Sequence, residues 1–144
     1  MTKIYQTKIS DKLELLNQYL KYLKQLKKEI GSEKQFLSDF HLFGSAERYM
    51  QLSIQALIDI SHMVIINLGI ERPDDNYEAI SKLVEGKIIS GKLAQNITKM
   101  IGLRNILVHE YGVIDRKKIY AVLKNNLDDL KEFKQKIASL LNKK

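Results

Sequence analysis

A chain of 144 residues, 44% hydrophobic and 28% charged, is long enough to bury roughly two thirds of its unfolded surface and too apolar to be disordered. It has no cysteine, which excludes disulfides, thiolate metal sites and a cysteine nucleophile, and its one proline and seven glycines give little punctuation for a many-stranded fold. The net charge of +7 is almost all lysine, the arginines being Arg48, Arg72, Arg104 and Arg116. Such a balance suits a polyanionic partner (RNA, DNA or an acidic protein), or it simply solubilises exposed helix faces.

The opening MTKIYQTKISDKLE lacks a continuous apolar run, so no signal peptide is expected. Over residues 8–30 the apolar positions Ile9, Leu13, Leu16, Leu20, Leu23, Leu26 and Ile30 fall three and four apart, one stripe of an amphipathic helix. Ser10-Asp11 can start it and Gly31 can end it. A second helical region runs from Glu33 to Leu68, with an interruption expected near Gly44. From Glu47 onward it is apolar on most of its circumference, as the central helix of a bundle should be. Its longest apolar run, Ile60–Ile70, is about half what a bilayer span needs. Gly69 supplies a C-cap and ERPDDN a turn. Residues 76–86 make a short helix with Asn76 as N-cap and Gly86 as stop. Ser90 caps a helix over 91–109 that Gly112 ends, and Asp115 caps a last helix to Asn142. That last helix turns Ile119, Val122, Leu123, Leu127, Leu130, Phe133, Ile137 and Leu140 inward. The pattern predicts an all-α antiparallel bundle of four long helices and one short helix. It forms a single domain over 1–144, soluble and cytoplasmic, with no membrane partner.

Chemistry has few places to sit. There is no Gly-rich phosphate loop and no HExxH pair, and His41, His62 and His109 are too dispersed for a metal cage, so neither metal nor cofactor is expected. Asp59 and His62 are three apart and can meet on one helical face, the simplest role being a carboxylate that satisfies an imidazole. Glu47 and Arg48 open the central helix as a cap or interhelical charge pair, or as support for a site. The stretch GLRNILVHEYG, residues 102–112, is different: it gathers Arg104, Asn105, His109 and Tyr111 between apolar neighbours. On an ideal helix Asn105 and His109 share one face, Arg104 and Tyr111 another, and Arg104 lies roughly 140° from His109. Convergence on one phosphate therefore needs an arginine that reaches around, a distorted helix end, or a second copy across a twofold axis. Histidine can take and give a proton near neutral pH, and arginine offers a fixed charged fork to phosphate. Without metal ligands, this set best suits RNA cleavage by attack of the 2′-hydroxyl on the adjacent phosphate. The bland alternative is the polar end of a core helix, where basic residues are favoured anyway.

RNILVHEY, from Arg104 to Tyr111, resembles the R-x4-H-x-Y pattern of the HEPN superfamily, in particular its HepT-like toxin branch. The resemblance extends through ERYMQLSIQALIDISHMVI (Glu47 to Ile65), MIGLRN and VIDRKKIYAVL, covering roughly residues 10–140. It implies a HEPN-like helical domain acting as a metal-independent endoribonuclease toxin with a composite site across a homodimer. Arg104 would hold the scissile phosphate, His109 would be the general acid and base, and Asn105 would support them; Glu47, Arg48 and Asp59 are further candidates for support. The implied partner is a minimal nucleotidyltransferase antitoxin of the MntA type that transfers AMP from ATP onto Tyr111. ATP is then the antitoxin's substrate, and this chain needs no cofactor. The competing reading is a non-nucleolytic HEPN subunit that presents a nucleotide or substrate to a nucleotidyltransferase. A basic DNA-binding domain is less apt, for no short helix-turn-helix stands out.

Overall fold

A computed structural model describes residues 2–109 and 116–142, the side chains of Val108 and His109 excepted. Among the described residues seven helices follow one another: α1 (Lys3–Glu29), α2 (Glu33–Ser38), α3 (Phe40–Asn67), α4 (Asn76–Glu85), α5 (Gly91–His109), α6 (Arg116–Asn125) and α7 (Leu127–Asn142). The architecture is all-α, as the periodicity predicts. Two expected helices are each broken once, which turns five helical regions into seven.

The first break falls at Asp39, not at Gly44. Asp39 leaves the helical region at φ −105°, ψ 104°, and its carboxylate accepts from the backbone N–H of His41, capping α3. Gly44 lies inside α3, where no described residue would crowd a Cβ at its position, so it costs some propensity but does not break the helix. The second break is at Asn126, whose side-chain amide donates to Asp129 Oδ2 at 2.8 Å while its carbonyl accepts from the Asp129 N–H at 3.1 Å. Other ends shift by a residue or more. α1 begins at Lys3, capped by Thr2, and Asp75 rather than Asn76 caps α4, its side chain accepting from the Glu78 N–H at 2.7 Å. At the end of α4, Gly86 keeps an ordinary φ and Lys87 takes the left-handed one, 59°, while Gly69 adopts φ 70° after α3 as a terminal glycine should.

The core forms because α3 buries Met50, Ile54, Leu57, Ile60, Val64 and Ile65 on several sides at once. α1 lays its stripe, Ile9, Leu13, Leu16, Leu20 and Leu23, along α3 and makes the most extensive helix contact of the fold. The two run antiparallel: Lys12 meets Asp59, and ten residues later the Tyr22 ring lies 4.9 Å from that of Tyr49. α7 returns along α1, with Lys134 Nζ donating to Asn17 Oδ1 at 2.6 Å, and closes the core with Leu130, Phe133 and Ile137. α2 and α6 cover one end, where the Phe36 and Tyr120 rings sit 5.4 Å apart. α4 packs beside α5. By length and composition α3 could cross a membrane, with mean hydropathy 1.3 over 18 residues; here 56% of that stretch is buried inside the bundle.

Candidate active site at the C-terminal end of α5

α5 is anchored by its apolar face, where Leu93, Ile97, Met100, Ile101, Leu103 and Leu107 are buried, and this fixes where its polar residues emerge. Arg104 and Asn105 leave the helix next to one another, half-buried, between α3 and α4. The Arg104 guanidinium reaches sideways: Nη1 donates to Asn105 Oδ1 at 3.2 Å and Nη2 donates to Gln55 Oε1 on α3 at 2.5 Å. Asn105 in turn donates through Nδ2 to the Tyr77 hydroxyl on α4 at 3.3 Å. Three helices therefore orient one fork.

Behind it lies a second tier. Gln55 Nε2 donates to Asp59 Oδ1 at 2.9 Å, and Asp59 Oδ2 meets Lys12 Nζ of α1 at 3.4 Å. Asp59 thus stands one hydrogen bond behind the Arg104 partner, with no direct contact to the arginine. Both acceptors on Arg104 are neutral amide oxygens, and among the described residues no carboxylate pairs with it. Its Nε–H is buried without an acceptor among those residues. A half-buried cation held by neutral oxygens is costly for stability alone, and well placed to meet an anion.

The remaining candidates fall elsewhere. His62 Nε2 bonds Asn76 Oδ1 at 2.9 Å, so the expected Asp59–His62 pair does not form. Asp59 is already engaged by Gln55 and Lys12, and Asn76, displaced from capping by Asp75, is free to reach the imidazole. Glu47 is half-buried inside α3 rather than at its start. Burial raises its carboxyl above the ordinary range, and the Arg116 guanidinium of α6 partly offsets this. Arg48 is exposed, without an ion pair among the described residues. Among the described residues neither hydrogen-bonds nor ion-pairs with the Arg104 cluster. His109 is the last residue of α5, its side chain outside the described set, and Tyr111 lies outside the described residues. Gln55 and Tyr77 were not anticipated. The available signal was Gln55, Asp59 and His62 recurring at helical spacing along the most apolar helix of the chain.

Comparison with known proteins places this geometry. Residues 16–137 match the family described as Ribonuclease HepT-like. The chain is 36% identical over 141 residues to the tRNA nuclease HepT of Aphanizomenon flos-aquae, covering 98% of this chain and 95% of that one. It is 29% identical over 111 residues to the mRNA nuclease HepT of Shewanella oneidensis, covering 77% and 84% respectively. Its fold superposes with a TM-score of 0.82, at 27% identity and over 96% of this chain and 99% of the other, on the tri-AMPylated HEPN toxin of Shewanella oneidensis solved in complex with MNT antitoxin. The matched span contains Gln55, Asp59, Tyr77, Arg104, Asn105 and His109. The chain belongs to the HepT-like ribonuclease family of the HEPN superfamily.

Proposed function

We propose that this chain, as one HEPN-like domain over residues 1–144, is a cytoplasmic, metal-independent endoribonuclease toxin that works as a homodimer. The observation that bears most weight is the Arg104 fork, oriented by Gln55 and Asn105 and without a carboxylate partner among the described residues, five residues before His109 on the same helix. In this reading Arg104 binds the scissile phosphate and stabilises the charge that builds on it. Asn105 steadies the fork, and Asp59 supports it from behind; Glu47 and Arg48 stand apart from it. His109 removes the proton from the 2′-hydroxyl, whose oxygen attacks the adjacent phosphorus. The bond to the 5′-oxygen breaks, a proton is delivered to that oxygen, and a 2′,3′-cyclic phosphate and a 5′-hydroxyl result. Because Arg104 and His109 start roughly 140° apart on an ideal helix, a twofold axis that pairs two α5 ends brings one copy's fork to the other's imidazole, and it supplies two histidines for the two proton transfers.

The AMPylated relative bound to its MNT antitoxin supports a matching control here: a minimal nucleotidyltransferase partner moves AMP from ATP onto Tyr111. An anionic adenylate two residues beyond His109 would occupy the phosphate position beside Arg104 and repel RNA.

Expression without a partner tests the reading. Wild type should arrest growth and degrade RNA, and His109→Ala should do neither; intact RNA with wild type, or equal cleavage by the variant, contradicts it. Light scattering should report a dimer. After co-expression with the nucleotidyltransferase, adenylate mass increments should appear on wild type and be absent from Tyr111→Phe; increments that persist in Tyr111→Phe would remove the tyrosine assignment.

A further inference from the structure

Gln55 is an uncharged residue 49 positions before Arg104, yet it receives the shortest hydrogen bond in the site. Its two ends face opposite chemistry. Arginine can only donate and an ionised carboxylate can only accept, so an amide between them has one orientation: oxygen toward Arg104, nitrogen toward Asp59. Gln55 is a spacer that gives each charged group a hydrogen bond while keeping the two from pairing. Lys12 then engages the Asp59 charge from the other side. With a carboxylate in place of Gln55, the fork would be taken by an ion pair, the arrangement arginine forms most readily.

We infer that Gln55 is a positioning residue of this site, whose Asp59-oriented amide fixes the Arg104 fork without neutralising it and so leaves that charge for an RNA phosphate. This rests on the ribonuclease reading and adds to it the reason the arginine is competent. Asp59 and Lys12 act through Gln55. The short bond to a neutral oxygen sets the direction of Nη2 before substrate arrives, so less ordering remains when phosphate binds.

The test uses Gln55→Glu, nearly the same shape with a negative charge, and Gln55→Met, which removes the acceptor but adds no charge. Affinity for unfractionated tRNA is measured against salt in a His109→Ala background, so that the RNA survives, and cleavage is measured in the active background. Gln55→Glu should weaken cleavage about a hundredfold, as loss of one transition-state donor does. It should also lower the salt slope of binding by about one, the signature of one lost phosphate contact. Its deficit relative to wild type should shrink as pH falls, because a protonated glutamic acid again offers Arg104 a neutral oxygen and Asp59 a donor. Gln55→Met should keep the wild-type salt slope and lose kcat, since the charge remains and only its direction is lost. A wild-type slope and wild-type cleavage in Gln55→Glu would overturn the assignment. If melting shows Gln55→Glu unfolded, Gln55→Met decides, and a wild-type kcat there overturns it equally. Wild type that binds tRNA without cutting it removes the nuclease reading, while the slope difference still judges Gln55.

Discussion

The half-buried Arg104 and the lysines of α1 and α7 carry positive charge in different ways. Around Lys134, the ammonium groups of Lys24, Lys131 and Lys21 crowd one face with Glu14 in opposition. Burial first, and then these lysines, hold the Lys134 ammonium below its ordinary range. Its anchor is a neutral one, Asn17 Oδ1 accepting from Lys134; farther along α1, Lys27 donates to the backbone carbonyl of Lys124 at 2.9 Å. Lys21, Lys24 and Lys131 are exposed, on flexible stems. Arg104 instead has a planar fork fixed from two helices. The net charge of +7 comes almost wholly from lysines, most of them on exposed helix faces, whereas Arg104 holds a directed fork. Exposed lysines attract any polyanion over a Debye length of about 8 Å at physiological salt, whereas a planar fork held in one direction suits a single phosphate.

The sharpest way to separate the two regions is to remove the histidine proposed as proton carrier, five residues after Arg104 on α5. His109→Ala should reduce cleavage by about 10²–10⁴-fold, the ordinary range for a general acid–base residue, with tRNA affinity kept within a few fold. Equal cleavage would mean that the α5 end is only the polar tip of a core helix. Next in size is a packing control: Leu57→Ala, at a fully buried position of α3, should cost about 2–5 kcal/mol in chemical denaturation. That loss should lower the melting temperature without changing the salt dependence of RNA binding by the folded fraction. The lysine pair Lys24→Gln/Lys131→Gln should lower the salt slope of tRNA binding by about two and leave kcat nearly unchanged. An unchanged slope would detach this face from RNA altogether.

Smaller effects come from titration. Lys134 binds its proton less tightly in the folded state than in the unfolded chain, so stability should rise as pH climbs through its lowered pKa toward the ordinary lysine value. Lys24→Gln should flatten that rise, and denaturation midpoints across the alkaline range would show it. Glu47 is the opposite case. Its folded pKa is raised, so its favourable contribution is present at low pH and lost as pH rises through the folded value. Glu47→Gln should therefore stabilise the fold slightly at pH 7, with the gain fading below the ordinary glutamate pKa. A loss of stability at pH 7 would show that the Arg116 attraction outweighs burial.

Much of the bundle could be read from periodicity, and its errors have identifiable causes. The stripe of α1 from Ile9 to Leu23 is buried as its spacing predicts. The breaks at Asp39 and Asn126 escaped because the apolar rhythm continues across them: Phe36 and Leu42 both enter the core, and Leu123, Leu127 and Leu130 keep helical spacing through the second break. Gly44, the more obvious breaker, is tolerated because a glycine in a helix costs only about 1 kcal/mol. At the site, a local motif placed Arg104 and Asn105 side by side. Gln55 and Tyr77 come from distant segments, and neither residue type announces chemistry in a single sequence. The rule that buried polar groups find partners anticipated a partner for His62, but it chose the neighbour in sequence, Asp59, over Asn76, which only the fold brings within 2.9 Å.

Single-turnover cleavage of RNA at low salt by wild type, Arg104→Gln and Lys24→Gln/Lys131→Gln tests most directly that one fixed arginine, not the lysine-rich charge, makes this chain a nuclease. The account predicts a loss of about 10²–10³-fold for Arg104→Gln, with its melting temperature retained, and a rate within a few fold of wild type for the lysine pair. Equal losses in the two variants, or cleavage by Arg104→Gln at the wild-type rate, would contradict it.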